Sequence, residues 1–473
     1  MRRPRTRREF LGAAARGLAV LPAARLLSGI DVASAARRLG PAPWPVFPDA
    51  ARGWRGESSV AAALRAGQRA LTDAVPPPAP APVPLAERFA DLSRHFVFEY
   101  YPWYAADPYR HWEQWDRVPP DDIAARYVPR LGAYDSRSKD VLERHAAWIA
   151  DSRAGAVNLS WWGPGSFEDA MVPLVMDVMR DHGLKVAFHV EPYADDHARH
   201  FADDILYLLR EYGEKRRFDA LLVLRDADGT EGPVFKGFRT ILPERVVDCH
   251  GVTRQVPDFA DDDTWSRQTN ALRRALRQDF DHVTLLADSL DFDRTEAAGF
   301  DGIAIYDNFV EPSSYAAHAA GASERGLVFS FNVNPGYDSI EPRSIEPGSC
   351  YAPAPFAPPT PDVQWDVAGD RERAAQASAA RIGESLEATV RVQGDPTLSN
   401  GHRGFFLAYV NSWNEWHEGH AFEPMQDGAA LTAQEWVFGY HNPLDGGYRV
   451  AALKTALAPL LSHKPQPAAV GMA

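Results

Sequence analysis

Residues 411–420, NSWNEWHEGH, bring together two carboxylates (Glu415, Glu418), two indoles (Trp413, Trp416) and two imidazoles (His417, His420), directly after the apolar run GFFLAYV. Carboxylates spaced i, i+3 diverge on an extended strand and share a face only where the chain turns helically. The stretch Asn414–Gly419 has room for that turn, and Gly419 offers the backbone freedom it needs. Two carboxyls held close among apolar ring faces titrate apart, because burial and like charge keep one of them protonated. One acid beside one base suits the splitting of a glycosidic bond. A salt-bridged or helix-capping glutamate pair on a surface loop is the competing reading of the same spacing.

Other chemistries find less support. HEGH places its histidines three apart, not the four of H-E-x-x-H. HVEPYADDHARH offers His189, Glu191, Asp195, Asp196, His197 and His200. No zinc spacing emerges from this set, so His197 and His200 are expected as solvated helix residues and no catalytic metal or other cofactor is expected. There is no G-x-S-x-G for a serine hydrolase. No G-x-G-x-x-G follows the first strand-like run. Cys249 and Cys350 are the two cysteines, and they fit either a disulfide in an exported protein or two buried thiols. A net charge of −14 disfavours nucleic acid and anionic membrane surfaces as partners.

The elements that must position Glu415 and Glu418 are legible as alternating runs. Strand-like segments are HFVFEYYPW, AVNLSWW, KVAFHVEPY, DALLVL with PVFKGF close behind, HVTLLAD, FDGIAIYDNF, LVFSFNVNPGY and GFFLAYVNSWNEW. Helical period marks DVLERHAAWIADSR, AMVPLVMDVMRDHG, ADDILYLLREYGEK and WSRQTNALRRALRQD between them. Strand-then-helix repeated about eight times predicts an α/β fold, a (β/α)8 barrel forming a single catalytic domain with loop insertions. Polar and aromatic residues gather at the C-terminal ends of the runs: Tyr100, Tyr101, Trp103 and Tyr104; Trp161 and Trp162; His189, Glu191 and Tyr193; Tyr306, Asp307 and Asn308; Asn334 and Tyr337. In a barrel those ends share one rim, where active sites sit.

Ahead of the barrel, residues 1–35 carry a twin-arginine pair, a modest apolar stretch and ASA, and read as an export signal; this predicts a secreted or cell-envelope protein. Residues 36–94 read as a proline-rich linker or extension, 95–462 as the barrel and 463–473 as a tail. No run is apolar enough to predict a membrane span.

The motifs FEYYPWY, SWWGPG, KVAFHVEPY, AGFDGIAIY, NPGY and NSWNEWHEG resemble, in order and spacing, those of glycoside hydrolase family 99, the endo-α-mannosidases. The resemblance covers roughly residues 95–460 and includes the stretch PPDDIAARYVPRLGAYDSRSKDVLERH. It implies a metal-free barrel that cleaves inside α-mannoside chains with retention of configuration. It implies that Glu418 is the general acid/base. Glu415 would take the proton of the sugar's own 2-hydroxyl, which attacks the anomeric carbon to give a 1,2-anhydro sugar. Tyr101, Trp161, Glu191, Tyr193, Tyr306, Asn414 and Trp416 would line the sugar subsites. Two departures bear on the glycan: Asp195-Asp196 stands where the family pattern is basic, and a proline-rich insertion near 338–362 follows NPGY. A non-catalytic glycan-binding or polysaccharide-synthesis protein on the same barrel is the alternative, and a metal-dependent hydrolase a more distant one.

Overall fold

A computed structural model describes residues 84–345 and 347–462. Residues 1–35, read above as an export signal, most of 36–94, read as a linker, and 463–473 lie outside the described residues.

Eight parallel strands run β1 Phe96–Tyr100, β2 Ala156–Trp161, β3 Lys185–Val190, β4 Glu231–Gly237, β5 Thr284–Ala287, β6 Gly302–Ala304, β7 Val328–Ser330 and β8 Ala408–Val410. From β1 to β7 each pairs with the next in chain order, and β8 pairs with β1, Phe96 opposite Ala408. Past the end of β7, Val333 bridges Val410, so the sheet nearly closes on itself. Helices follow the strands: α1 Lys139–Ser152, α2 Phe167–Asp181, α3 Phe201–Leu208, α4 Asp262–Leu276, α5 Phe292–Ala297, α6 Tyr315–Glu324, α7 Ala368–Gly394 and α8 Tyr448–Leu461. Side-chain oxygens of Ser166, Asp261 and Asp291 accept amide hydrogen bonds at the starts of α2, α4 and α5. The (β/α)8 architecture expected from the sequence is therefore the one observed.

One run behaves differently from its sequence appearance. DALLVL contributes a single bridge, Leu221 to Val186, and its residues Val223–Arg225 then fold back antiparallel on β4. The turn between them carries Gly229 at φ +90, a backbone that favours glycine. The fourth barrel strand is thus EGPVFKG, the run close behind. Leu85, Phe89 and Leu92, ahead of β1, pack into the main core.

Strand parity sorts the layers. On β2, Val157, Leu159 and Trp161 join the apolar layer with Leu142, Val172 and Met176 of the helices. The alternate residues Asn158 and Ser160 face inward, where Asn158 donates to Glu99 at 2.9 Å and Ser160 to Glu191 at 2.7 Å.

Inside the barrel lies an ionic cluster. Lys236 of β4 donates to Glu99 of β1 at 2.7 Å, and His189 of β3 donates to the other carboxylate oxygen at 3.1 Å. Burial pushes the Glu99 carboxyl up, but the Lys236 ammonium and His189 outweigh it and hold it at about 2, below the ordinary 4.5. The stability this contributes is present above about pH 4.5 and is lost as the pH falls toward 2. Lys236→Met removes one side of a buried pair and is expected to cost about 3–5 kcal/mol at neutral pH. It should also flatten the fall in stability on the acid side. Urea unfolding of parent and variant at pH 7 and near pH 3 checks both effects; equal stability at pH 7 would contradict the role given to the pair.

Candidate active site

The segment after β8 is anchored before it turns. The Trp413 amide donates to the Glu99 carbonyl at 2.7 Å. The Asn414 side chain accepts from the Tyr101 amide (2.8 Å) and donates to the Tyr101 carbonyl (2.9 Å) and Tyr134 Oη (3.0 Å). The chain then turns: Trp416 N–H donates to Asn414 O at 3.1 Å, and Gly419 N–H to Trp416 O at 3.3 Å. Gly419 has φ +67, and a Cβ there would lie 2.0 Å from the Asp338 carbonyl oxygen. Only glycine meets both demands.

That close approach comes from the proline-rich insertion. Asp338 N–H donates to Glu418 O at 3.0 Å and Ile340 N–H to His417 O at 2.8 Å, so the start of the insertion pairs with the backbone of the turn. Further along, Arg126 and Arg343 form ion pairs with Glu341 and Asp122, respectively. A disulfide joins Cys350 of the insertion to Cys249, beside the hairpin Arg245–Val247/Thr253–Gln255. Between the two readings open for the cysteines, the structure gives the disulfide.

The turn places the two glutamates in unlike surroundings. The Glu415 side chain is fully enclosed, whereas that of Glu418 is 22% exposed. Glu415 lies 3.6 Å from His417 Nδ1, and its amide donates to Ser412 Oγ at 2.8 Å. His417 packs among Trp103, Tyr104, His111 and Trp115. Burial, reinforced by Glu415, pushes the Tyr104 phenol well above its ordinary range, and it donates to Asn414 O at 3.1 Å.

Glu418 Oε2 takes hydrogen bonds from Tyr306 Oη at 3.0 Å and from His420 Nε2 at 2.8 Å. Tyr306 in turn accepts from Tyr101 Oη at 3.0 Å. Next to Tyr306, burial pushes Asp307 up to about 7; the Phe309 amide opposes this, and Asp288 and Glu418 add to it.

Of the residues singled out in the sequence, Tyr101, Tyr306, Asn414, Glu415 and Glu418 form one connected group. Glu191 is buried at the end of β3, holding Ser160. Tyr193 donates to both carboxylate oxygens of Asp204 at 2.9 and 3.0 Å, with its ring against Gly163. Trp161 turns outward from the barrel: it is fully buried, donates to Asp169 at 2.8 Å and stacks on Tyr207. Its neighbour Trp162 has the inward parity, bonds Ser160 and packs in the rim cluster with Tyr101 and Tyr306. Trp416 is fully buried and donates to Glu423 at 3.1 Å; Tyr134 donates to the same oxygen at 2.8 Å. Glu423, three residues past His420 and fully buried, was not picked out by spacing; its hub role rests on contacts from distant segments. His197 is not solvated as expected. It is buried with its ring 5.7 Å from that of Trp265, while His200 stays exposed beside Asp196.

A parallel barrel with two carboxylates on the last rim turn has the layout of a glycoside hydrolase. The family model described as glycosyl hydrolase family 99 matches residues 92–222. A glycoprotein endo-alpha-1,2-mannosidase-like protein of Danio rerio is 28% identical over 363 residues, covering 68% of this chain and 69% of its own. The glycoprotein endo-alpha-1,2-mannosidase of Mus musculus is 25% identical over 356 residues, covering 68% and 66%. The structure of a family 99 endo-alpha-mannosidase from Bacteroides thetaiotaomicron superposes with a TM-score of 0.52 at 19% identity, covering 78% of this chain and 97% of that one. The chain is thus similar to glycosyl hydrolase family 99 in sequence over residues 92–222 and to a family 99 endo-alpha-mannosidase in fold, and these likenesses point to a glycoside hydrolase.

Gly419→Ala is expected to destabilise the protein by more than about 1 kcal/mol, since its φ is incompatible with a side chain. Displacing the turn should lower turnover by up to about 10²-fold. Thermal unfolding measured alongside hydrolysis checks this, and a variant matching the parent in both would show that the Asp338 contact does not constrain the turn.

Proposed function

We propose that this chain is an exported, retaining, endo-acting hydrolase of internal α-mannosidic linkages, endo-α-1,2-mannosidase-like in specificity. The observation that carries the reading is the pair of glutamates on one turn with opposite exposure, Glu415 enclosed and Glu418 open at 22%. The likeness to endo-alpha-1,2-mannosidases supports the glycan class.

In this reading Glu418 is the general acid/base. It protonates the departing oxygen, a step that needs access to both leaving group and water. Glu415 removes the proton of the sugar's 2-hydroxyl. The freed oxygen attacks the anomeric carbon and closes a 1,2-anhydro ring as the glycosidic bond breaks. Glu418, now ionised, takes a proton from water as the water oxygen attacks the anomeric carbon; the bond from that carbon to the 2-oxygen breaks, and Glu415 returns its proton to the 2-oxygen, giving overall retention. Tyr101, Tyr306, Glu191 and Tyr193 would contact the sugar. Asn414, Trp416 and Trp161, each buried, would support those contacts from behind. Export through the twin-arginine segment is supported by the Cys249–Cys350 disulfide, which suits an oxidising compartment.

Incubation with α-mannan and with α-glucan, followed by sizing and NMR of the products, tests the substrate. Short α-configured manno-oligosaccharides are expected from the first and none from the second. Release from neither polymer would favour a barrel that binds without cutting, and loss of activity with a chelator would favour metal chemistry.

Two variants divide the roles. Glu418→Gln should lose about 10²–10⁴-fold on glycosides with poor leaving groups. It should keep activity on an activated aryl mannoside, whose departure needs no proton. Glu415→Gln should lose both, because both require the 2-hydroxyl to be deprotonated. Parent rates for Glu418→Gln on mannan would sink the assignment.

A further inference from the structure

Ser412 links the two glutamates of the turn, touching Glu415 directly and Glu418 through the ring of His420. Its Oγ accepts the Glu415 amide hydrogen at 2.8 Å and lies 3.0 Å from His420 Nδ1. The other ring nitrogen, His420 Nε2, lies 2.8 Å from Glu418 Oε2. His420 is 1% exposed, so these contacts are made out of reach of bulk water.

The proton order follows from donors and acceptors. Having accepted the Glu415 N–H, Ser412 still has its own hydroxyl proton to place. Among the described residues its acceptor is His420 Nδ1. A ring that accepts at Nδ1 carries its proton on Nε2, the atom facing Glu418. Tyr306 supplies a second donor to the same oxygen, since its own oxygen already accepts from Tyr101.

We propose that His420, locked by Ser412 in its Nε2–H form, is a positioning residue that orients Glu418 and sets the upper pH limit of its acid role. The proposal rests on the reading of Glu418 as the acid/base. A donor to a carboxylate favours the ionised form. Removing it keeps the group protonated to higher pH, so the alkaline limb of activity must move upward. The other groups around this carboxylate are Tyr306 and Asp307 from the end of β6, Tyr101 from β1 and Tyr337 beyond β7, whose ring is 6.2 Å from that of His420. Farther back, Lys236 lies 5.3 Å from the Tyr306 ring and Asp288 accepts the Tyr306 amide. None of these changes in the variants below.

The pH profile of kcat/KM is measured on a manno-oligosaccharide with a poor leaving group. For His420→Ala the alkaline limb should rise by roughly one unit, with kcat reduced and KM little changed. His420→Gln keeps an N–H donor near the Nε2 position, and its limb should stay close to that of the parent. An unmoved or lowered limb in His420→Ala, with kcat reduced, would overturn the proposal and leave only a packing role. If His420→Ala does not fold, the parent decides: ¹⁵N-histidine NMR, with the His420 signal assigned by its absence in His420→Gln, should show the Nε2–H tautomer. An Nδ1–H tautomer would overturn the proposal. Failure of the wider reading would show elsewhere, as parent-level mannan cleavage by Glu418→Gln.

Discussion

The site depends on a charge pair buried inside the barrel. Glu99 and Lys236 meet at 2.7 Å inside the barrel with both side chains essentially without exposure. Taking two ions out of water costs several kcal/mol each, and their attraction offsets this only with good geometry and further hydrogen bonds. Here His189 and Asn158 supply those bonds, so the cluster draws on β1, β2, β3 and β4 together. The backbone of Glu99 also receives the Trp413 amide, which seats the segment that carries Glu415 and Glu418. Lys236 lies 5.3 Å from the Tyr306 ring and 4.8 Å from the Tyr409 ring. Tyr306 then donates to Glu418. An apolar replacement of the whole pair could leave the barrel folded, but Tyr306 would lose the charge beneath its ring. The pair is better understood as fixing a position than as adding stability.

Much of the barrel was legible because parallel strands are buried on both faces and appear as short apolar runs. The eight runs became eight strands, with one exchange at the fourth. DALLVL is more apolar than EGPVFKG, yet the latter carries the lysine that answers Glu99. Apolar content alone does not rank two neighbouring runs; a buried charge partner does. Strand parity was also available. Asn158 and Ser160 alternate with Val157 and Leu159, so Trp162 shares the inward parity and Trp161 the outward one. The family resemblance pointed to Trp161, whose indole packs toward the helices instead. His197 shows the opposite limit. Its acidic neighbours make it look solvated, and its burial comes from Trp265, 68 positions later.

The insertion near 338–362 was legible as an extra segment but not as a structural one. Its length and proline content were read as bearing on which glycan is taken. Its first residues pair with the backbone of the Asn414–Gly419 turn, and the disulfide ties its far part to a residue 101 positions away. Neither contact leaves a mark in local sequence, because both are set by which rim loops the closed sheet brings together. One local mark was present, Gly419. A glycine between two polar residues usually signals only a permissive turn; here its missing side chain also makes room for the Asp338 carbonyl.

Glu415 and Glu418 show how one residue type takes two parts. Three positions apart on one turn, they share a backbone but not a solvent. In the proposed mechanism the open Glu418 would exchange protons with a departing oxygen and then with water, and the enclosure of Glu415 would keep competing water away from a base acting on a sugar hydroxyl. The enclosure has a consequence for how the sugar enters. A fully covered carboxylate reaches a hydroxyl only if binding displaces part of its cover. His417 Nδ1 lies 3.6 Å from it, and the His417 ring packs edge-on against the partly exposed Trp115. Binding energy from sugars in neighbouring subsites would then be spent in opening Glu415, which raises selectivity for chains over single sugars. Under the proposed role of Glu415, a base that only an extended substrate uncovers would favour an endo mode of cleavage.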